Sequence, residues 1–239
     1  MNDLFIQQIR LKSDRVAAHF LRGLLPLQFN NRITVFIGEN GCGKSTLLEA
    51  LAIKLGCNPE GGGKNFNFST ENTHSKLHET LMPSKGYRRE KDVFFYRAET
   101  FYNLNTAIRK LDAEGSFDPE IKTYYGGVDM HCMSHGEAME ALFQNRFKAQ
   151  GLYVLDEPEA SLSPLRQLVF INRVMELSRK GAQFVIATHS PLIMSIPGCD
   201  LRQISQGRSE PITPADTDAY AVYKAVLNSA GAYIAKNMQ

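Results

Sequence analysis

The chain has 239 residues and a mass of 26.8 kDa, room for one sizeable domain. Its 27 basic and 25 acidic side chains leave a net charge of +2, which excludes a polybasic nucleic-acid binder but not a local basic strip. Hydrophobic residues at 43% and charged residues at 22% fit a folded globular protein. No apolar run approaches the ~18 residues of a membrane span. The first residues lack the pattern of a signal peptide, and Cys42, Cys57, Cys132 and Cys199 show no C-x-x-C spacing. The expectation is a cytoplasmic protein with reduced thiols and no direct membrane insertion.

Residues 4–11 and 33–37 read as strands, the second apolar or β-branched at nearly every position, as a strand buried on both faces is. From Lys44 the pattern turns helical: Leu47, Leu48, Leu51, Ala52 and Leu55 form one stripe, which stops at Gly56. Residues 57–92 carry little periodicity. Val93 to Tyr96 predicts a short strand, 98–111 a helix, 116–133 irregular chain and 136–147 a further helix. Two more buried-type strands, 152–155 and 183–187, flank a helix over 164–179 with its proline in the first turn. Short strands near 201–205 and 210–213 precede a terminal helix of about 217–228, within a segment 216–236. This alternation implies an α/β fold with a mostly parallel central sheet flanked by helices.

Gly38-Glu-Asn-Gly-Cys-Gly43-Lys44-Ser45 matches the phosphate-binding pattern G-x-x-x-x-G-K-[ST], set between a buried strand and a helix as that pattern requires. Its glycines let successive N–H groups face the phosphates, and the helix N-terminus adds partial positive charge. Lys44 supplies a mobile cation, and the Ser45 hydroxyl is a ligand for Mg²⁺. The apolar strand 152–155 runs into Asp156 and Glu157, at the sheet edge where open α/β folds bind ligands. There Asp156 can hold Mg²⁺ through its hydration shell, and Glu157 can take a proton from water attacking a γ-phosphate. His189, at the end of the strand 183–187, can reach the same phosphate or water.

Together the loop Gly38–Thr46, the Asp156-Glu157 strand end, the turn Ser161–Pro164 and the Thr188-His189-Ser190-Pro191 end resemble the ABC-class ATPases. They correspond, in order, to the Walker A, Walker B, D-loop and switch histidine of that class, over roughly residues 4–205. Met133-Ser134-His135-Gly136-Glu137 stands where the class keeps Leu-Ser-Gly-Gly-Gln. The resemblance implies a single P-loop NTPase domain of ABC-ATPase type over 1–239, with a small antiparallel β region and a helical lobe. Its nucleotide-binding core would lie in about 1–57 and 149–215, and an insertion with the helical signature lobe in about 58–148. It further implies ATP and Mg²⁺, held by Gly38, Asn40, Gly41, Cys42, Gly43, Lys44, Ser45 and Thr46, with Lys44, Glu157 and His189 catalytic. Two copies would dimerise head to tail, with Ser134 and the amide of Gly136 touching the partner's γ-phosphate. Two positions depart from the class. His135 replaces the first signature glycine. Tyr96-Arg-Ala-Glu99 stands where a glutamine is expected, leaving Glu99 either a metal carboxylate or a solvated acid at a helix start.

Within the class, Asp-Glu-Pro-Glu and Thr-His-Ser-Pro are more similar to RecF/SMC and OLD-type ATPases than to transporter subunits. Arg-Ala-Glu and Ser-His-Gly-Glu resemble a group of standalone bacterial ATPases. The implied function is Mg²⁺-dependent ATP hydrolysis that drives or gates a protein partner in DNA repair or defence. The alternatives are the nucleotide-binding subunit of a membrane transporter and a slow ATP-sensing switch. The spacing from Lys44 to Ser134 is too short for the coiled-coil arms of SMC-type heads, and the segment after His189 too short for an OLD-type nuclease domain. Among weaker features, His74 with His78, and His131 with Cys132 and His135, read first as polar loops and second as metal ligands. Cys42 reads as a small filler of its loop. Arg88, Arg89 and Lys91, with Tyr87 and Phe94–Tyr96, are either a solvated charged loop or a nucleic-acid contact. Phe20 and Phe29 are the candidates for stacking on a base.

Overall fold

A computed structural model of the chain describes residues 3–12, 21–64, 76–113, 120–229 and 231–237; Phe20 and His74 lie outside them. The elements run β1 (Ile6–Leu11), α1 (Leu21–Leu24), β2 (Leu27–Gln28), β3 (Ile33–Ile37), α2 (Lys44–Lys54), β4 (Gly62–Gly63), β5 (Leu81–Lys85) and β6 (Asp92–Arg97). The helical lobe follows, with α3 (Phe101–Ala113) and α4 (His135–Ala141). Then come β7 (Gly151–Asp156), α5 (Pro164–Arg179), β8 (Gln183–Ala187), β9 (Asp200–Ser205), β10 (Arg208–Pro211), α6 (Asp218–Asn228) and α7 (Ala232–Asn237).

Strands β3, β7 and β8, buried at every position, sit in the middle of a seven-stranded sheet of order β10-β9-β3-β8-β7-β6-β4. Neighbours from β9 to β6 pair in parallel, and β10 and β4 close the edges antiparallel. Because side chains alternate along a strand, each central strand feeds two cores. Val35, Tyr153, Leu155, Phe184 and Ile186 face a core shared with α3, α4 and α5. Phe36, Leu152, Val154, Val185 and Ala187 face a second core shared with α2 and the three-stranded antiparallel sheet β2-β1-β5. This two-faced parallel sheet with a small antiparallel sheet and a helical lobe is the architecture expected from the sequence.

Several details differ from the sequence reading. Strands β4 and β6 fall within 58–148 yet belong to the central sheet, and β5 joins the small one, so the helical lobe begins only after Arg97. The helix expected over 136–147 ends at Ala141 and continues as a π-helical turn, Leu142–Arg146. That wider turn buries the consecutive residues Leu142 and Phe143 and lets Arg146 pair with Asp92 at the start of β6. Phe94 and Tyr96 are core residues, not exposed platforms for nucleic acid. Arg88 pairs with Asp3, while Lys64 and Lys85 share Glu90. Phe29, 1% exposed, lies in the second core and cannot stack on a base. Among the described residues no helix is long and apolar enough to cross a membrane.

Candidate active site

The loop after β3 and the ends of β7, β8 and β6 meet at the C-terminal edge of the central sheet. Gly38 has φ of +151°, and a Cβ there would lie 2.3 Å from the carbonyl oxygen of Ile204 and 2.9 Å from Cys42 Sγ. Only glycine fits this position. Gly43 then enters α2 in a left-handed conformation, and Asn40 and Gly41 form the exposed crest of the loop. Cys42 Sγ packs inside the loop, 3.8 Å from Lys44 Nζ, as a small filler would. Lys44 is itself buried, and its Nζ donates to the carbonyls of Gly38 (2.8 Å) and Glu39 (3.0 Å). These are the bonds that an incoming phosphate would replace.

In the first turn of α2, Ser45 Oγ donates to Asp156 Oδ1 at 3.1 Å. A hydroxyl and a carboxylate at this separation are hard oxygen ligands of the kind Mg²⁺ takes. Burial pushes the Asp156 carboxyl up to about 6, against the Ser45 hydrogen bond and the Arg97 charge, which favour the ionised form. The residues present therefore fit a divalent ion beside the phosphate loop.

Glu157 follows with φ of +51°, a left-handed conformation uncommon for a non-glycine residue. It is held there because its N–H donates to the Ala187 carbonyl at the end of β8. Its carboxylate oxygen lies 3.7 Å from His189 Nε2. The His189 N–H donates to Glu159 Oε1 at 2.6 Å, and Thr188 is tied to β3 through the Phe36 carbonyl. Two strand ends thus present Glu157 and His189 side by side, both partly exposed toward the loop. A cavity of about 230 Å³, lined by Gly38, Glu39, Thr188 and the first turn of α6, borders His189.

The signature segment lies at the start of α4. Ser134 caps the helix and exchanges bonds with Glu137: Glu137 N–H donates to Ser134 Oγ, while Ser134 N–H and Oγ donate to the Glu137 carboxylate. A Cβ on Gly136 would lie 2.7 Å from the carbonyl oxygen of Ser161. That close approach is to the chain's own turn before α5, so packing within one subunit already requires this glycine. His135, in place of the other signature glycine, is exposed. Among the described residues no group of three or more His, Cys, Asp or Glu is arranged as a metal site, and His131 packs edge-on against Tyr102.

The sequence reading gave no role to Arg97 and Glu49. Arg97, directly across from Asp156 in the β6–β7 register, binds Glu49 Oε2 of α2 at 2.5 Å and Glu99 Oε2 at 3.1 Å. Glu99 is thus engaged by Arg97 and 75% exposed. No spacing rule links a strand-end arginine to a glutamate in the second turn of α2, so sequence alone carried no signal for this pair.

With this geometry in hand, comparison with known proteins places the arrangement. A family model described as "AAA domain" matches residues 17–121, and another, described as "AAA domain, putative AbiEii toxin, Type IV TA system", matches residues 141–195. The solved structure of MJ1267, an ATP-binding cassette of an ABC transporter, superposes with a TM-score of 0.52 at 17% identity, covering 86% of this chain and 90% of that one. The fold is that of an ABC-type ATPase domain. Curated relatives agree at low identity. The chain is 24% identical over 180 residues to the nisin transport ATP-binding protein NisT of Lactococcus lactis, a match covering 65% of this chain. It is 27% identical over 180 residues to an uncharacterized ABC transporter ATP-binding protein of Haemophilus influenzae, covering 67% of this chain. These matches span 28% and 65% of the length of those two relatives.

Proposed function

We propose that this ATPase domain binds ATP with Mg²⁺, hydrolyses it, and closes head to tail with a second copy around the nucleotides. The observation that supports this best is the Ser45–Asp156 contact directly beneath the phosphate loop, with Glu157 and His189 side by side at the next strand ends. Lys44 exchanges its two loop carbonyls for the phosphates. Ser45 and Asp156 hold the ion, which when bound neutralises phosphate charge and orients the γ-phosphate. Glu157 polarises water for in-line attack and His189 steadies the γ-phosphate. Ser134, released from Glu137, and the amide of Gly136 complete the partner's site. Steady-state turnover tests this. Wild type hydrolyses ATP, while Glu157→Gln loses roughly a hundredfold or more of the rate and still binds nucleotide. Equal slow rates in both proteins would instead support a sensing switch.

For its use, we propose coupling to a protein partner in DNA repair or defence, supported by the resemblance of the Asp156–Glu159 and Thr188–Pro191 segments to soluble ATPases. A second reading, the nucleotide-binding subunit of a transporter, is favoured by the names of the curated relatives. The missing glutamine, with Tyr96–Glu99 in its place, and His135 in the glycine's place count against it. DNA-stimulated turnover supports the first reading. Co-purification of the ATP-trapped protein with a membrane-spanning partner supports the second.

A further inference from the structure

Arg97 ends β6 directly across from Asp156. Its guanidinium meets three carboxylates from three elements. One terminal nitrogen binds Glu49 Oε2 at 2.5 Å, the other Glu99 Oε2 at 3.1 Å, and Nε lies 3.9 Å from Asp156 Oδ2. The first bond is buried, with side-chain exposures of 21% for Arg97 and 9% for Glu49. The second reaches an exposed partner and is correspondingly weak. The Nε–H is buried and hydrogen-bonded to nothing, since 3.9 Å is beyond bonding range. Asp156 offers its other oxygen, Oδ1, to Ser45, so this orphan donor stands one carboxylate away from the phosphate loop.

We propose that Arg97 reads the γ-phosphate from within the same chain. In the free protein its guanidinium balances the carboxylates Glu49, Glu99 and Asp156. With ATP in the loop it keeps the buried bond to Glu49, releases Glu99, and turns its Nε edge to the γ-phosphate. A planar fork of five donors can hold a carboxylate on one side and a phosphate oxygen on the other, and it brings a positive charge that a neutral amide lacks. The edge also needs the charge. Glu49, Glu99, Asp156 and Glu157 crowd it, and a γ-phosphate adds more negative charge than Lys44 and a divalent ion together balance. The role rests on the ATP reading given above and adds selectivity for triphosphate over diphosphate.

The test is the ratio of dissociation constants for ADP and the non-hydrolysable AMP-PNP, with Mg²⁺, on dilute full-length protein, alongside melting curves without nucleotide. Arg97→Met keeps length and loses charge; Glu49→Gln/Arg97→Met also neutralises the acid whose arginine partner the first variant deletes, which protects the fold. Both are expected to lose about ten- to a hundredfold of the preference for AMP-PNP, the worth of a hydrogen bond to a charged group. Arg97→Lys regains part of it. Glu49→Gln weakens the same ion pair from the other side and keeps the wild-type ratio. A folded Arg97→Met protein that melts lower yet keeps the wild-type ratio would overturn the proposal and reduce Arg97 to a tie between β6 and α2. If wild type binds neither nucleotide, the underlying ATP reading fails first, and the role of Arg97 with it.

Discussion

At the residue scale, Asp156 is the carboxyl of the candidate site that burial perturbs most. Burial raises its carboxyl to about 6 from an ordinary value near 4, so the neutral form is favoured on folding. The stabilising contribution is complete below the unfolded value and is lost as pH rises through the folded one, leaving a desolvated anion at neutral pH. Asp156→Asn carries no such penalty. Relative to wild type, its unfolding free energy without ligand is therefore expected to gain on the order of 3 kcal/mol between pH 4 and pH 7, while Mg²⁺-dependent turnover is lost. Urea denaturation at several pH values measures this, and a pH-independent gap would contradict it. Gly136 makes a simpler case. Alanine there drives a Cβ to 2.7 Å from the Ser161 carbonyl, so Gly136→Ala should lose about 1–3 kcal/mol of stability. An unchanged melting temperature would show that the turn before α5 yields freely. Lys44, Ser45, Asp156, Glu157 and His189 were legible in the sequence because phosphate and metal chemistry demands those residue types at strand ends and fixed spacings. Arg97 and Glu49, separated by 48 positions, meet only because strand register and helix phase bring them together.

At the element scale, the strands read most directly were those whose burial on both faces left a nearly unbroken apolar run, β3, β7 and β8; β1, β6, β9 and β10 were also expected near their observed places, whereas β2, β4 and β5 were not. Strand β5, Leu-Met-Pro-Ser-Lys, carries a proline that argues against a strand, yet it pairs with β1 alone and lies at the edge of its sheet, where a missing N–H is tolerated. Strand β4 is two glycines, whose pattern carries no periodicity at all. The join between the small sheet and the large one was equally hidden. Gln183, fully buried at the start of β8, accepts from the N–H groups of Phe5 (2.8 Å) and Ile6 (3.0 Å) and donates to the Ile6 carbonyl (2.9 Å). Gln183→Leu strands those three backbone groups and is expected to cost about 2–4 kcal/mol, read from the urea midpoint. A loss below about 0.5 kcal/mol, the size of an ordinary surface change, would mean that the β1 segment docks by apolar packing alone.

At the scale of the whole molecule, one parallel sheet with two cores explains why chemistry collects on a single edge. Every strand from β9 to β6 points its C-terminal end the same way, so the loop after β3, Asp156 and Glu157 at the end of β7, His189 after β8 and Arg97 at the end of β6 converge although these four segments lie far apart in sequence. The signature segment at α4 projects from the separate helical lobe. Its serine is held by Glu137 within the chain, in the capping box that starts α4. Head-to-tail closure is the central claim, and sedimentation of Glu157→Gln with and without ATP and Mg²⁺ tests it most directly. The account predicts a monomer of 26.8 kDa without nucleotide and a dimer of twice that mass with it, abolished by Lys44→Ala. A Glu157→Gln protein that binds ATP and Mg²⁺ yet stays monomeric at high concentration would contradict it.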